Sequence, residues 1–216
     1  MPRVPLEALL RDALVREEDP VTAALVRELA GVRARGAFTR REFERMCRWK
    51  SPRAQHLWQA NSASRIAAAS RAVLAARGER TRMELLTSLR GVGVPMASAI
   101  LTLIDPRRYG VLDIRAWQFL FAIRAVTTNR RGQGFTIGQW EEYLQALRRH
   151  ARRLGVTARV VEYTLFECHR RWQRGTLYAP AGGTARRAPT PRGDGPARAL
   201  PAGSARARRR RAAARG

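Results

Sequence analysis

Two glycines separated by one residue, Gly91 and Gly93, constrain the fold more than any other feature of this sequence. They lie between two apolar segments whose leucines, alanines and isoleucines recur three and four residues apart, the spacing of one helix face. Because glycine has no Cβ, the pair suits a tight reversal that also lets another backbone come close. Pro95 suits the first turn of the following helix, where its missing N–H costs nothing. The sequence therefore predicts a helical hairpin over residues 81–104.

The same helical periodicity runs through residues 1–175, with almost no alternation of apolar and polar residues. The predicted fold class is therefore all-α, with residues 1–175 as one helical domain. The capping box Thr39–Glu42 opens one expected helix. The others are expected at about 6–16, 21–33, 66–76, 81–89, 95–104, 114–126, 137–154 and 158–174.

The composition changes after Gly175, where glycine, proline, alanine, serine and arginine dominate and apolar periodicity ends. Such a segment buries too little surface to offset the entropy of ordering it, so residues 176–216 are predicted to be a disordered basic tail. Two interpretations of the tail remain open. It either adds sequence-independent attraction to phosphates, or it is a GC-rich extension without a dedicated role.

Charge indicates the class of partner. The net charge is +25, of which the ten arginines and single acid of residues 176–216 supply +9, leaving +16 for the rest. Lys50 is the only lysine, and this skew toward arginine indicates a GC-rich coding bias that explains some of the excess. An excess of this size still favours a nucleic acid as partner over a merely solvated basic surface.

Other residue types narrow the function further. Cys47 and Cys168 lie far apart without the spacing of a zinc or iron–sulfur site, so they are expected to be buried free thiols, and no metal or cofactor is expected. The histidines His56, His150 and His169 show no ligand spacing. No apolar run approaches the roughly 20 residues of a membrane span. We expect a cytoplasmic, nucleoid-associated protein without membrane contact.

A second motif follows the hairpin. The pattern L-x-G-V-G-x-x-x-A-x-x-I leads, after a short loop, to Val111-Leu112-Asp113, with Asp113 twenty residues after Gly93. Over residues 81–125 this resembles the helix-hairpin-helix DNA glycosylase superfamily, and within it a small bacterial branch for which Trp49-Lys50-Ser51-Pro52-Arg53 is a second signature. The resemblance implies a glycosylase-like helical domain that binds double-stranded DNA, favoured as a monomer, and excises a damaged base.

The resemblance also implies roles for single residues. Glycosylases flip the target nucleotide into a pocket, and a carboxylate stabilises the positive charge left on the sugar. Asp113 matches that carboxylate, although an aspartate at the start of a helix also serves as its N-cap. Relatives that cut the strand carry a lysine where this chain has Pro95, so the resemblance implies a monofunctional enzyme that uses water. A monovalent cation at the hairpin is a further implication.

Candidate contacts follow from these roles. The expected DNA-binding residues are Arg90, Gly91, Val92, Gly93, Val94, Arg115 and Lys50. The expected walls of the base pocket are Trp49, Tyr109 and Trp117, each of which could equally be a core residue. For Lys50 the alternatives are a position near the pocket beside Trp49, a phosphate contact, or an ion pair with a residue such as Glu44. Glu162 could be buried and paired, with its partner open.

Two other functions fit the same sequence. One is a non-catalytic helix-hairpin-helix module that binds DNA for another component. The other, weaker, is an RNA-binding protein whose arginine-rich tail makes the contacts.

Overall fold

The computed structural model describes residues 6–172, and in that range all regular secondary structure is helical, which confirms the all-α prediction. All of these residues belong to one compact unit, whereas the tail predicted over 176–216 lies outside the described residues. The elements are α1 (Leu6–Ala13), α2 (Pro20–Leu29), α3 (Val32–Arg35), α4 (Arg40–Lys50), a 3₁₀ turn (Pro52–Ala54), α5 (Gln55–Trp58), α6 (Ala63–Ala75), α7 (Glu79–Thr87), α8 (Val94–Ile104), α9 (Ile114–Ala122), α10 (Ile137–Leu154) and α11 (Ala158–Trp172).

Local sequence explains several helix ends. The predicted capping box of α4 is present, because Thr39 and Glu42 satisfy each other's backbone N–H groups. A second capping box, formed by Thr136 and Gln139, opens α10. Gly155 ends α10 in the left-handed conformation at φ 65°. The bounds predicted for α10 are therefore those observed.

Three predicted helices end earlier than expected. The helix expected over 6–16 ends at Ala13. The helix expected over 21–33 is interrupted at Gly31, a poor helix former, and continues as α3. The helix expected over 114–126 ends at Ala122 because Arg124 adopts a φ of 59°. The N–H of Ala125 then bonds to the carbonyl of Leu120 at 2.8 Å, the closure of a Schellman motif. Arginine rather than glycine takes the left-handed position, so the sequence carried no stop signal there.

Helix α8 lies at the centre of the core. Every residue from Met96 to Ile104 is buried, and α8 contacts α2, α4, α7 and α10. A helix surrounded in this way is apolar on all faces rather than on one. Because α8 is the second arm of the hairpin, the hairpin is anchored directly in the core.

The turn between α7 and α8 packs against residues 57–61. Gly91 has a φ of 75°, and a Cβ on it would lie 2.7 Å from both the Leu57 Cβ and the Trp58 backbone nitrogen. The amide of Asn61 accepts a hydrogen bond from the backbone N–H of Arg90 and donates one to its carbonyl, both at 2.9 Å. A glycine at position 91 is therefore required for this close packing of the turn.

Gly93 has a different role. Its φ is −83°, and a Cβ on it would find only the Pro95 Cδ, 4.0 Å away. It is exposed and forms the N-cap of α8. Of the two glycines, Gly93 is the one that leaves its backbone open to a ligand.

These different roles predict that substitutions at Gly91 and at Gly93 have unequal effects on stability. Gly91→Ala should lower the free energy of unfolding by about 2–4 kcal/mol, because it adds a left-handed alanine and an overlap with backbone. Gly93→Ala, the matched control, should change it by less than about 1 kcal/mol. Urea denaturation followed by tryptophan fluorescence measures both. Equal losses in the two variants would contradict the assignment.

Candidate active site

Asp113 lies at the junction of the loop 110–113 and α9. Its Oδ1 accepts a hydrogen bond from the Arg115 backbone N–H at 2.8 Å, so it is the N-cap of α9. Its Oδ2 accepts a hydrogen bond from the Lys50 Nζ at 3.0 Å. The ion pair joins the end of α4 to the start of α9, and its two side chains are only 18% and 20% exposed. Capping thus uses one oxygen, while the other faces a cleft.

The two residues before Asp113 are held from several sides. The Val111 N–H donates to Glu162 at 3.2 Å, and the Leu112 N–H donates to the Ser98 hydroxyl at 2.8 Å. The Val111 carbonyl accepts from the Tyr143 hydroxyl at 3.1 Å. Helices α8, α10 and α11 therefore fix the loop, and a site built on such support is rigid.

Gly110 allows this close packing. A Cβ on Gly110 would lie 2.5 Å from the Leu147 Cδ1 and 2.7 Å from the Glu162 Cβ. The loop thus lies directly on α10 and α11, and no larger residue fits at position 110.

The cleft beside Asp113 has a volume of about 480 Å³, within the range of small-molecule sites. Its walls come from the start of α2, the end of α4, the loop before α9 and one face of α11. The lining residues are Asp19, Thr22, Trp49, Lys50, Val111, Asp113, Arg159, Glu162, Tyr163, Phe166, Glu167 and Arg170.

Three aromatic rings line this cleft. Trp49 is fixed by its indole N–H, which donates to the Thr22 hydroxyl at 3.0 Å. On the opposite element, the rings of Tyr163 and Phe166 lie 6.2 Å apart and nearly parallel. The Arg159 guanidinium lies over both Trp49 and Tyr163, at 6.0 and 4.8 Å from the ring centroids. The cleft therefore offers flat apolar surfaces beside a carboxylate.

A buried ion cluster forms the floor of the cleft. Arg159 is 8% exposed and Glu162 2% exposed. Arg159 donates from Nε and Nη2 to the two Glu18 oxygens, at 2.6 and 2.9 Å, and from Nη1 to Glu162. Burial raises the pKa of the Glu162 carboxyl, and Arg159 opposes that rise. Glu162 is therefore buried and paired, as the sequence allowed, and Arg159 is the partner.

Sequence reasoning missed most of α11. Residues 159, 162, 163, 166, 167 and 170 recur three and one apart and line the cleft as one face of the helix. That face mixes charged and aromatic residues where a core helix would be apolar, and this was the signal available in the sequence.

The structure brings together three of the predicted site residues, Trp49, Lys50 and Asp113. Lys50 pairs with Asp113 and not with Glu44, whose carboxylate bonds to Arg40.

Tyr109 and Trp117, predicted as pocket walls, are placed elsewhere. Trp117 is fully buried and donates from its indole N–H to the Asn129 carbonyl at 2.9 Å. Tyr109 is 4% exposed and donates its hydroxyl to Glu79 at 2.7 Å. Both are core residues, because the faces of the elements that carry them pack inward and not onto the cleft.

The hairpin residues lie outside the cleft lining. Arg90 and Gly93 are exposed, whereas the Val92 side chain is 4% exposed, so only the Val92 backbone can meet a ligand. Val94 is half-buried, and so is Arg115, whose guanidinium lies 5.6 Å from the Phe166 centroid. The chain itself links the two regions, because the segment that follows Lys50 packs against the hairpin through residues 57–61.

A monovalent cation at the hairpin would need free backbone carbonyls in the turn between α7 and α8. The Ser88 carbonyl accepts a hydrogen bond from the Arg65 guanidinium at 2.7 Å, and the Arg90 carbonyl accepts from Asn61. These two carbonyls are therefore already engaged, and the monovalent cation at the hairpin stays a prediction. Among residues 6–172, no cluster of three or more His, Cys, Asp or Glu side chains has the arrangement of a metal site.

Two further predictions concern the cysteines and the membrane. Cys47 and Cys168 are buried and unpaired, as predicted, and burial raises the pKa of Cys47 to about 12. None of the helices within the described range combines the length and apolar character needed to cross a bilayer.

Comparisons with protein-family models, with curated proteins and with solved structures each returned no match for this chain.

Proposed function

We propose that this chain binds duplex DNA and releases a damaged base by hydrolysing its N-glycosidic bond, as helix-hairpin-helix DNA glycosylases do. One observation carries the proposal: the Asp113 carboxylate follows a loop that three helices hold, and it faces an aromatic-lined cleft in a strongly basic chain. An aspartate that served only as the N-cap of α9 would not need to face such a cleft.

The carboxylate suits the chemistry of base release. As the base departs, positive charge develops on the deoxyribose, and a fixed negative group stabilises that charge. Asp113 can also orient the attacking water and accept its proton. The bond to Lys50 and the bond to the Arg115 N–H hold both oxygens in place before the substrate arrives. Pro95 leaves the hairpin without an amine, so water is the nucleophile for base release.

The walls of the cleft suit a base flipped out of the duplex. Phe166, with the faces of Trp49 and Tyr163 that Arg159 leaves open, offers π-surfaces on which a base can stack. Such stacking contributes about 1–3 kcal/mol per base. Carboxylates at the cleft surface, such as Asp19, accept hydrogen bonds from ring or exocyclic N–H groups of the base.

The hairpin suits the DNA backbone. Gly93 is exposed at the N-terminus of α8, where free backbone N–H groups and the helix dipole attract a phosphate. Arg90 is exposed beside it. Residues 57–61 hold the turn in a fixed position relative to the segment that leads from Lys50.

This docking predicts a specific loss of affinity. Gly93→Glu should weaken duplex binding by at least about tenfold, because a carboxylate would stand where a phosphate docks. The fold should persist, since the space around Gly93 is open. Gly138→Glu, also exposed in the first turn of a helix, changes the net charge equally and should bind nearly as well as wild type. Fluorescence anisotropy over a salt series measures both, and equal weakening would argue against the hairpin as the docking site.

Single-turnover excision over a panel of duplexes, each with one damaged or mismatched base, tests the proposed activity. Cleavage of the product by hot alkali reveals a released base. Excision of at least one lesion is expected. No release from any duplex that the chain binds tightly would leave it as a non-catalytic DNA-binding module.

A further inference from the structure

We propose that Lys50 is a second nucleophile of this cleft, and that through a Schiff base on its Nζ atom the chain cuts the DNA strand at abasic sites. The inference rests on the proposed function, because it uses the same cleft and the same DNA. It goes beyond that function because it gives an amine a chemical role and names the ring-opened sugar aldehyde as its substrate.

The position of Lys50 is unusual for a lysine. Its side chain is only 18% exposed, yet it lines the cleft, and its Nζ lies 3.0 Å from the Asp113 Oδ2. A lysine that served only as a solvated charge would extend into water. Here the amine meets the one carboxylate that the proposed mechanism uses, so a proton can pass directly between the two groups.

The presence of lysine and not arginine at position 50 is also informative. Of the 42 lysine and arginine residues, Lys50 alone is lysine. Arginine makes the better, bidentate partner for a carboxylate, and this chain otherwise uses arginine throughout. What an amine can do and a guanidinium cannot is form an imine with a carbonyl carbon. The structure places that single amine inside the cleft, delivered by α4 and not by the hairpin.

The step balances without an oxidant or reductant. Once the base has left, the C1′ of the sugar is a hemiacetal in equilibrium with an aldehyde. Lys50 gives a proton to Asp113, and its electron pair forms the C1′–N bond. The C1′ oxygen takes one proton from the Lys50 nitrogen and one back from Asp113 and leaves as water, so that an iminium and the Asp113 carboxylate remain. The iminium makes a C2′ hydrogen acidic, and Asp113 in its carboxylate form accepts it. The C3′–O3′ bond then breaks and the 3′ phosphate leaves with the electron pair, after which water hydrolyses the imine and restores the amine.

The test uses the full chain and a duplex with one preformed abasic site, so that no base excision is required. Sodium borohydride reduces an iminium to a stable amine and links protein to DNA. Wild type should give a covalent complex on a denaturing gel, with the adduct on the peptide that contains Lys50. Without borohydride it should nick the strand in the absence of alkali.

Lys50→Arg is the matched variant, because it keeps the positive charge and the ion pair with Asp113. Compared with wild type at equal occupancy of the abasic duplex, it should lose both trapping and nicking completely. Undiminished trapping in this variant would come from the terminal amine and would overturn the proposal.

Absence of trapping by wild type on an abasic duplex that it binds would overturn the proposal as well. The glycosylase function would still stand if alkali revealed excision in the lesion panel. Conversely, trapping at Lys50 without excision of any lesion would support the strand-cutting role and remove the glycosylase role.

Discussion

Asp113→Asn is expected to slow base excision by about 10²- to 10⁴-fold while leaving the fold and the affinity for duplex DNA nearly unchanged. The substitution removes the negative charge that stabilises the sugar and the base that accepts a proton from water. It keeps the shape of the side chain, and asparagine caps a helix as well as aspartate does. The hydrogen bond from the Arg115 N–H to Oδ1 therefore persists, whereas the amide NH2 group replaces Oδ2 and Lys50 loses its acceptor.

Asp113→Ala removes the cap of α9 as well as the negative charge, so its comparison with Asp113→Asn separates the two roles. It should lose excision to the same extent and also lower the free energy of unfolding by about 0.5–2 kcal/mol, because α9 loses its cap. Single-turnover rates and urea denaturation on all three proteins give the comparison. An excision rate in Asp113→Asn equal to that of wild type would show that the carboxylate has no part in the chemistry.

Arg159→Met is expected to lower the free energy of unfolding by about 3–5 kcal/mol. Methionine fills similar volume but leaves the carboxylate of Glu162, which is 2% exposed, without its charged partner. It also releases Glu18, which holds the segment before α2 against α11. A buried carboxylate that has lost its partner is much less stable than the intact pair.

Arg45→Met is the matched control, because Arg45 pairs with Glu28 and both side chains are exposed, at 42% and 38%. Its removal should leave stability nearly unchanged. The double variant Arg159→Met/Glu162→Gln should recover part of the loss, since it removes the unpaired charge. Equal effects of Arg159→Met and Arg45→Met would contradict the structural role of the cluster.

The loss in Arg159→Met should depend on pH. Burial already raises the pKa of Glu162 above its ordinary 4.5, and removal of Arg159 raises it further. The folded variant then binds a proton more readily than the unfolded chain, so its stability falls as pH rises between the two pKa values. The deficit relative to wild type should be complete above the folded pKa and smaller at about pH 5 than at about pH 8. Chemical denaturation at the two pH values measures it.

Much of the local structure could be predicted from the sequence. Helix α10 has its predicted bounds, and the capping box of α4 and the turn at Gly91 lie where the residue types indicated. These features depend on contacts between residues near in sequence. The periodic apolar spacing predicted an all-α chain for the same reason.

Part of the candidate site could also be predicted. Trp49, Lys50 and Asp113 were singled out from two motifs and lie together in one cleft. Tyr109 and Trp117 were singled out in the same way and are core residues. Aromatic type alone does not tell a wall of a cleft from a residue of the core, because both positions bury apolar rings.

By itself the sequence determined the helices, the hairpin turn and the presence of a single lysine. Only the tertiary structure decided that this lysine faces Asp113, 63 positions away, and that Arg159 joins Glu18 to Glu162. The physical reason is the range of the interactions. Caps and turns are closed by neighbours in the chain, whereas an ion pair between elements depends on how α4, α9 and α11 pack around the buried helix α8.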